Sequence, residues 1–260
     1  MFKPVSSSRS WILIWLLALA VLAGCGASNP HPAGSYERGV FFAEQGKETE
    51  AVAALEAYVR HNPTDSLAAE AQYLKAMTYL EMEEYPLAAV EFQILRKDYP
   101  ISPRVEDAYF HEGEAYLRQV GRIERDVTGA HEARLHYLRF TEEYPTSEYL
   151  PQIIEYMQDI SDLMVRKRLE QIKVFGQLRR YEAVAITLDT VMEEERGSRL
   201  LDEVIMQRAK VAERLDDPDT AARMYEKLIA EYPDSPMIKK ARRNLRKLDE
   251  ADEELEDEDL

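Results

Sequence analysis

A frame of small, aromatic and proline residues recurs every 37 positions through the first half of this 260-residue chain. Gly39, Ala76 and Gly113 stand 37 apart, as do Phe42, Tyr79 and Tyr116, and Tyr36, Tyr73 and Phe110. Ala51 pairs with Ala88, Leu55 with Phe92 and Pro63 with Pro100 at the same step. A fixed period of this size marks stacked helical hairpins, each burying on its neighbour an apolar face that it cannot cover alone. Chains built this way usually work by presenting a long surface.

The residue types explain the frame. Two helices pack closely only where side chains are small, so Gly39 or Ala76 on a first helix is expected to face Ala51 or Ala88 on the second. The second helix carries a stripe at helical spacing, Ala51/Leu55/Tyr58 and then Ala88/Phe92/Leu95. Pro63 and Pro100 end the hairpins, because proline cannot continue a helix interior. A small residue, an aromatic three later, then alanine, a large residue and proline is the tetratricopeptide pattern, here a few residues longer than the standard period of 34.

The frame continues with changes. In repeat 3 the alanine, Ala133, follows Gly113 by 20 residues instead of 12, which places eight inserted residues near Gln119–Gly129. Its second helix reads Ala133/Tyr137/Phe140 and stops at Pro145. Repeat 4 is eroded: Ile172, Phe175, Tyr181, Val184, Leu188 and Val191 fit best, with Gly197 expected to close it. Repeat 5 reads Ala209, Ala212, Ala221/Tyr225/Leu228 and Pro233. Ser102-Pro103 and Ser235-Pro236 read as a capping hydroxyl before a proline at the first helical position. The expected fold is all-α, a right-handed α-solenoid of about five tetratricopeptide-like hairpins, with repeats 1–3 over 36–147 and repeats 4–5 and a capping helix over 148–248.

Lys3 and Arg9 precede an apolar run, Trp11 to Leu22, of 12 residues. That is too short to span a bilayer and has the layout of a secretory signal. It ends Leu22-Ala23-Gly24-Cys25, the form of a bacterial lipoprotein signal, so residues 1–24 are expected to be removed and Cys25 lipidated. The alternative is an ordinary signal with an incidental cysteine, although Cys25 is the only cysteine in the chain. Several acyl chains anchor stably where one does not. Gly26 follows the cysteine, where an aspartate would point to inner-membrane retention. Residues 25–35 read as a lipidated, flexible tether.

The net charge of −16 argues against general nucleic-acid binding. Nine acids in 249–260, with no base among them, read as a disordered, solvating tail. A single cysteine leaves no internal disulfide, so packing alone holds the repeats. The sequence shows no phosphate loop, nucleophile elbow or Cys/His pair. His131 and His136 are five apart and so lie on different faces of a helix, against the four-residue spacing a zinc helix uses. Neither an enzyme nor a cofactor or metal site is expected.

Two surfaces are candidates for binding. Tetratricopeptide geometry turns one set of first-helix positions toward the concave face: Tyr36, Val40 and Ala43; Tyr73, Met77 and Leu80; Phe110, Glu114 and Leu117, with Glu81 and Arg118 at their flanks. The repeated aromatic either receives apolar side chains of an extended segment or packs between hairpins. The last helix, Met237–Leu248, carries Lys239, Lys240, Arg242, Arg243, Arg246 and Lys247. It either docks on an acidic partner or lipid headgroups, or is a solvated cap neutralised by the acidic tail.

Residues about 36 to 240 resemble the BamD family, lipoproteins of the machinery that inserts β-barrels into the bacterial outer membrane. The carrying stretches are Tyr85-Pro86-Leu87-Ala88-Ala89, Glu91-Phe92-Gln93-Ile94-Leu95, Asp98-Tyr99-Pro100 and Val105-Glu106-Asp107-Ala108-Tyr109. The Cys25 motif, the lengthened third repeat and a long helix around Tyr149–Phe175 add to them. The acidic tail and the eroded fourth repeat depart from the family. The resemblance implies a periplasmic scaffold held at the outer membrane through Cys25. Its N-terminal groove would receive unfolded outer-membrane proteins, and its C-terminal repeats would hold a barrel-forming subunit with POTRA domains. A runner-up is an envelope scaffold that regulates peptidoglycan enzymes.

Overall fold

The computed structural model describes residues 29–120 and 128–258. The signal segment 1–24, Cys25 and most of the insertion expected near Gln119–Gly129 lie outside the described residues. Among the described residues, every regular element is a helix: α1 (Tyr36–Glu44), α2 (Glu48–His61), α3 (Ala68–Glu81), α4 (Tyr85–Asp98), α5 (Val105–Val120), α6 (Thr128–Glu143), α7 (Leu150–Gln177), α8 (Tyr181–Glu194), α9 (Leu201–Arg214), α10 (Pro218–Glu231) and α11 (Ile238–Glu258). The expected all-α class of tetratricopeptide hairpins is therefore met. The chain forms two compact units, one up to Ala108 and one from Tyr109, so the division falls inside α5.

The turn within a hairpin is the same in four repeats. The amides of Lys47, Glu84, Arg180 and Asp217 donate to the carbonyls of Phe42, Tyr79, Phe175 and Ala212, at 3.0, 2.9, 2.9 and 3.1 Å. The residue just before each donor is left-handed: Gly46 at φ 63°, Glu83 at 59°, Arg179 at 55° and Asp216 at 55°. This is the Schellman closure of a helix C-terminus. Its acceptors are the frame's aromatic position, so the same geometry places Phe175 and Ala212 in that frame despite the erosion of repeat 4.

The turn between hairpins also repeats, and it corrects two expectations. Asp65, Ser102, Ser147, Ser198 and Ser235 each accept, through a side-chain oxygen, the amide two residues on, at 2.8 to 3.2 Å. Ser102 and Ser235 therefore close a turn and do not cap a helix, because Pro103 and Pro236 stay in the turn and α5 and α11 start later. After α8 it is Ser198 that closes the chain, with Arg196 standing where the other repeats have proline. Gly197 does not take a positive φ.

In the N-terminal unit α1 pairs with α2 and α3 with α4, and α2 packs on α3. The stripe residues Ala51, Leu55, Ala88, Phe92 and Leu95 are fully buried. Two of the small first-helix residues also lie tight against the large residue of the stripe. A Cβ added at Gly39 would lie 2.5 Å from Leu55 Cδ2, and one at Gly113, in the second unit, 2.5 Å from Tyr137 Cε1. The close approach is thus to the large residue four beyond the alanine.

Among the described residues, three successive cores fill the C-terminal unit. Tyr109, Phe110, Tyr137, Phe140, Ile153 and Ile160 form the first. Val165, Leu169, Leu188, Val191 and Val204 form the second. Ile205, Ala209, Ala221, Tyr225 and Leu228 form the third. The 28-residue α7, the long helix expected around Tyr149–Phe175, serves the first with its N-terminal half and the second with its C-terminal half. Two polar ties fix this course. Arg134 binds Glu195 in two-pronged fashion at 3.1 and 2.6 Å. Asp162, on α7, accepts from Ser198 Oγ at 2.7 Å, the Arg199 amide at 2.8 Å and Arg199 Nε at 2.7 Å. Helix α11 continues to Glu258, beyond the expected stop at Leu248.

Candidate partner-binding surfaces

Helices α1 and α3 present the first aromatic positions. Tyr36, Val40, Ala43, Tyr73 and Met77 are half-buried, Leu80 is buried and Glu81 exposed. The Tyr36 ring lies 5.9 Å from Tyr58, and the Tyr73 ring 6.0 Å from Phe92. Each ring thus packs on a second helix with part of its surface and leaves the rest open.

A charged clamp holds the Tyr73 rung. The Arg104 guanidinium lies 4.8 Å from the Tyr73 ring centre. Its Nε and Nη2 donate to Glu70 at 2.7 and 2.8 Å, and Nη1 donates to Asp107 at 2.9 Å. The bonds to Glu70 and then to Asp107 hold Arg104 firmly protonated, well above its ordinary value. Burial pushes the Tyr36 hydroxyl up, and the Glu70 charge adds to this, so both rungs share one charged neighbour. Behind them the Tyr58 hydroxyl donates to Asp65 at 2.6 Å and is pushed up to about 12 by burial and that bond. Lys75 pairs with Glu91 at 2.7 Å, fixing α3 on α4. Sequence reasoning missed Glu70, Arg104 and Asp107. The one signal was that Glu70 and Asp107 are themselves 37 apart.

The candidates of the second unit behave differently. Phe110 is only 2% exposed and stacks on Tyr149 at 4.1 Å with an interplanar angle of 9°. Of the two roles open to it, packing between helices is the one it fills. Glu114 is buried between His111 Nδ1 at 2.8 Å and Arg118 Nη2 at 2.6 Å. Burial pushes the Glu114 carboxyl up, but the His111 bond and the Arg118 charge outweigh it and leave the group below its ordinary value. Arg118 is exposed and Leu117 half-buried.

On α11 the bases Lys239, Lys240, Arg242, Arg243, Arg246 and Lys247 are all exposed. The opposite side, with Ala241, Leu245 and Leu248, seats on repeat 5. Asn244 Nδ2 donates to the Tyr225 hydroxyl at 2.9 Å, which donates to Glu213 at 2.6 Å. Lys210 of α9 is held below the usual lysine value by burial and then by the neighbouring Lys240 charge. A separate groove of about 490 Å³ lies between α8, α9 and α10, lined by Asp189, Met192, Arg196, Leu201, Ile205 and Tyr232. His131 is exposed, whereas His136 is buried with Nε2 2.7 Å from the Tyr109 carbonyl. Among the described residues no three His, Cys, Asp or Glu are placed to hold a metal, and no helix is long and apolar enough to cross a membrane.

Comparison with known proteins bears on these surfaces. The profile of the outer membrane lipoprotein family YfiO matches residues 29–197. The chain belongs to this family of outer membrane lipoproteins. A tetratricopeptide profile matches residues 203–235, which is repeat 5 with its closing turn. The YfiO match spans the rungs of α1 and α3, the α5 residues and the eroded fourth repeat, and stops before the basic α11.

No curated protein matches the chain in sequence. Similar solved structures include a thermophilic tetratricopeptide protein of Thermus thermophilus. It is 17% identical, with 82% of this chain and 96% of that one covered and a TM-score of 0.35. A tetratricopeptide protein of Parabacteroides merdae is 16% identical, with 82% and 71% covered and a TM-score of 0.37. The tetratricopeptide domain of P58(IPK) is 14% identical, with 84% and 57% covered and a TM-score of 0.30. Scores this low add nothing to the assignment, which rests on the family match and the repeated turns. The YfiO member described here is thus a tetratricopeptide scaffold of the cell envelope.

Proposed function

We propose that this YfiO lipoprotein is a non-enzymatic scaffold of the outer-membrane β-barrel assembly machinery, held at the periplasmic face by acyl groups on Cys25. Its first two repeats receive extended segments of unfolded outer-membrane proteins. Its later repeats and α11, through Lys239, Lys240, Arg242, Arg243 and Arg246, hold a barrel-forming subunit with POTRA domains. The observation that carries this reading is the pair of half-open tyrosines, Tyr36 and Tyr73, at one position on successive first helices with a bidentate Arg104–Glu70 clamp beside them. Outer-membrane strands alternate apolar and polar residues. Fixed aromatic rungs suit the apolar side of such a segment, and the flanking charges suit its exposed amides and polar side.

A Tyr36→Ala, Tyr73→Ala double variant tests this. Losing two ring contacts of roughly 1 kcal/mol each weakens binding of a barrel-strand peptide by about tenfold or more. Retained helicity and thermal midpoint would show that the fold is intact. Unchanged affinity in a folded variant contradicts the assignment. Capture of peptidoglycan hydrolases from envelopes, with no POTRA-containing subunit, contradicts the choice of machinery.

A further inference from the structure

The segment that joins Cys25 to the first hairpin reads from the sequence as a free tether, yet its last part folds back along α1. Asn29 Nδ2 donates to the Arg38 carbonyl at 3.3 Å, and Arg38 Nη1 donates to the His31 carbonyl at 3.0 Å. The His31 amide donates to Asn29 Oδ1 at 2.9 Å. Ser35 caps α1 by accepting the Arg38 amide at 3.3 Å, and Gly34 makes the reversal at φ 82°. The His31 ring meets Phe41 edge-on at 5.8 Å. Residues 29–35 are therefore a strap that runs antiparallel to α1, and it leaves the described structure beside the middle of that helix.

Chain length then limits where α1 can be. Asn29 is only four positions after Cys25, and four fully extended steps reach only about 14 Å. With Cys25 acylated, the Asn29 end of the strap lies within that distance of the lipid headgroups. The side chains gathered at this edge suit such a place. Phe41 and Phe42 are half-buried and lie 6.2 Å apart. Arg38 lies 5.2 Å and Lys47 6.0 Å from the Phe42 ring centre. Aromatic rings with a polar rim favour the membrane–water boundary, and Arg and Lys reach from there to phosphates. Glu37 and Glu44, one turn to either side of Phe41, oppose attraction to an anionic surface, so the rings carry the contact more than net charge does.

We propose that the α1–α2 turn end of the first hairpin, formed by His31, Arg38, Phe41, Phe42 and Lys47, rests on the phospholipid headgroup layer. The strap sets the distance and holds the first repeat against the bilayer. This rests on acylation of Cys25.

Because Cys25 is the only cysteine and is consumed by the anchor, a second cysteine can be labelled alone. The acylated full chain is placed on phosphatidylethanolamine/phosphatidylglycerol vesicles containing shallow spin-labelled lipid. A fluorophore is attached in turn at Glu44→Cys, Lys47→Cys and Ile101→Cys. Ile101 is 98% exposed and lies at the other end of the unit's helices. The expected result is quenching at 44 and 47 several-fold stronger than at 101, persisting in salt. A flexible insert between 28 and 29, or Arg38→Ala, lowers it toward the value at 101 while the protein still floats with the vesicles. Equal, weak quenching at all three positions in an acylated, floating protein overturns the docking alone. A mature chain whose mass shows no acyl groups overturns the docking and the anchor together.

Discussion

Gly113 lies where a methyl group would meet the Tyr137 ring at 2.5 Å and His136 Cδ2 at 2.9 Å. An alanine there gains about 1 kcal/mol of helix propensity. Overpacking a tight core loses about 1–3 kcal/mol. Tyr137 is fully buried among Phe110, Tyr156 and His136, so the ring has nowhere to retreat and overpacking wins. Gly113→Ala is expected to lower stability in urea unfolding by about 1–2 kcal/mol; a gain would show that the ring can swing aside. Asp162 is the polar counterpart. Burial pushes its carboxyl up, but the Ser198 and Arg199 bonds outweigh it, so the group sits below the ordinary carboxylate value. Its contribution is complete above the unfolded value of about 4 and is lost as pH falls through its own lower value. Asp162→Asn is expected to lower stability by about 2 kcal/mol at neutral pH and to flatten the acid limb of the stability curve. An unaltered acid limb would assign that limb to other carboxylates. Gly113 was legible because it recurs at the period. Asp162 was not, because its partners Ser198 and Arg199 lie 36 and 37 residues away and nothing local sets it apart from a solvated acid.

At the scale of the hairpin, the frame was readable where side chains define the packing, as in Ala51/Leu55 and Ala88/Phe92. It was nearly lost in repeat 4 because Ile172 and Val184 stand where the other repeats have small residues, and the backbone closure that this hairpin shares with three others leaves no residue signature. Among the described residues, the left-handed position is glycine at Gly46 and is held by Glu83, Arg179 and Asp216 in three other repeats. A left-handed non-glycine residue costs about 1–2 kcal/mol, partly offset by the entropy a glycine adds to the unfolded chain. Arg179→Gly and Asp216→Gly are each expected to raise stability by about 0.5 kcal/mol, read as a higher thermal midpoint. A fall in both would mean that the side chains make contacts worth more than the strain. The Ser-Pro pairs misled for a related reason: the hydroxyl satisfies a turn amide two residues on, a bond that a sequence cannot separate from helix capping. The Arg104 clamp on Glu70 joins residues 34 apart and was hidden because arginine appears at that place in one repeat only.

For the whole molecule, the family and the hairpin class were visible in the spacing of a few residue types and in the residues around Cys25. The course of the N-terminal strap was not, since Asn29, His31 and Arg38 carry no periodic or motif signal and meet only through single hydrogen bonds. The division of the candidate groove was hidden too: Tyr36 and Tyr73 remain half-open whereas Phe110 is spent on packing against Tyr149. The central claim is that the α1–α3 face of this lipoprotein receives unassembled outer-membrane proteins. Site-specific photo-crosslinking in native membranes tests it most directly, with the probe at Tyr73 on that face or at Val90 on α4, which is 51% exposed. Crosslinks from Tyr73 to unassembled outer-membrane proteins, absent from Val90, are the predicted result. The same products from both positions, or none from Tyr73 while the protein remains membrane-bound, would contradict the account.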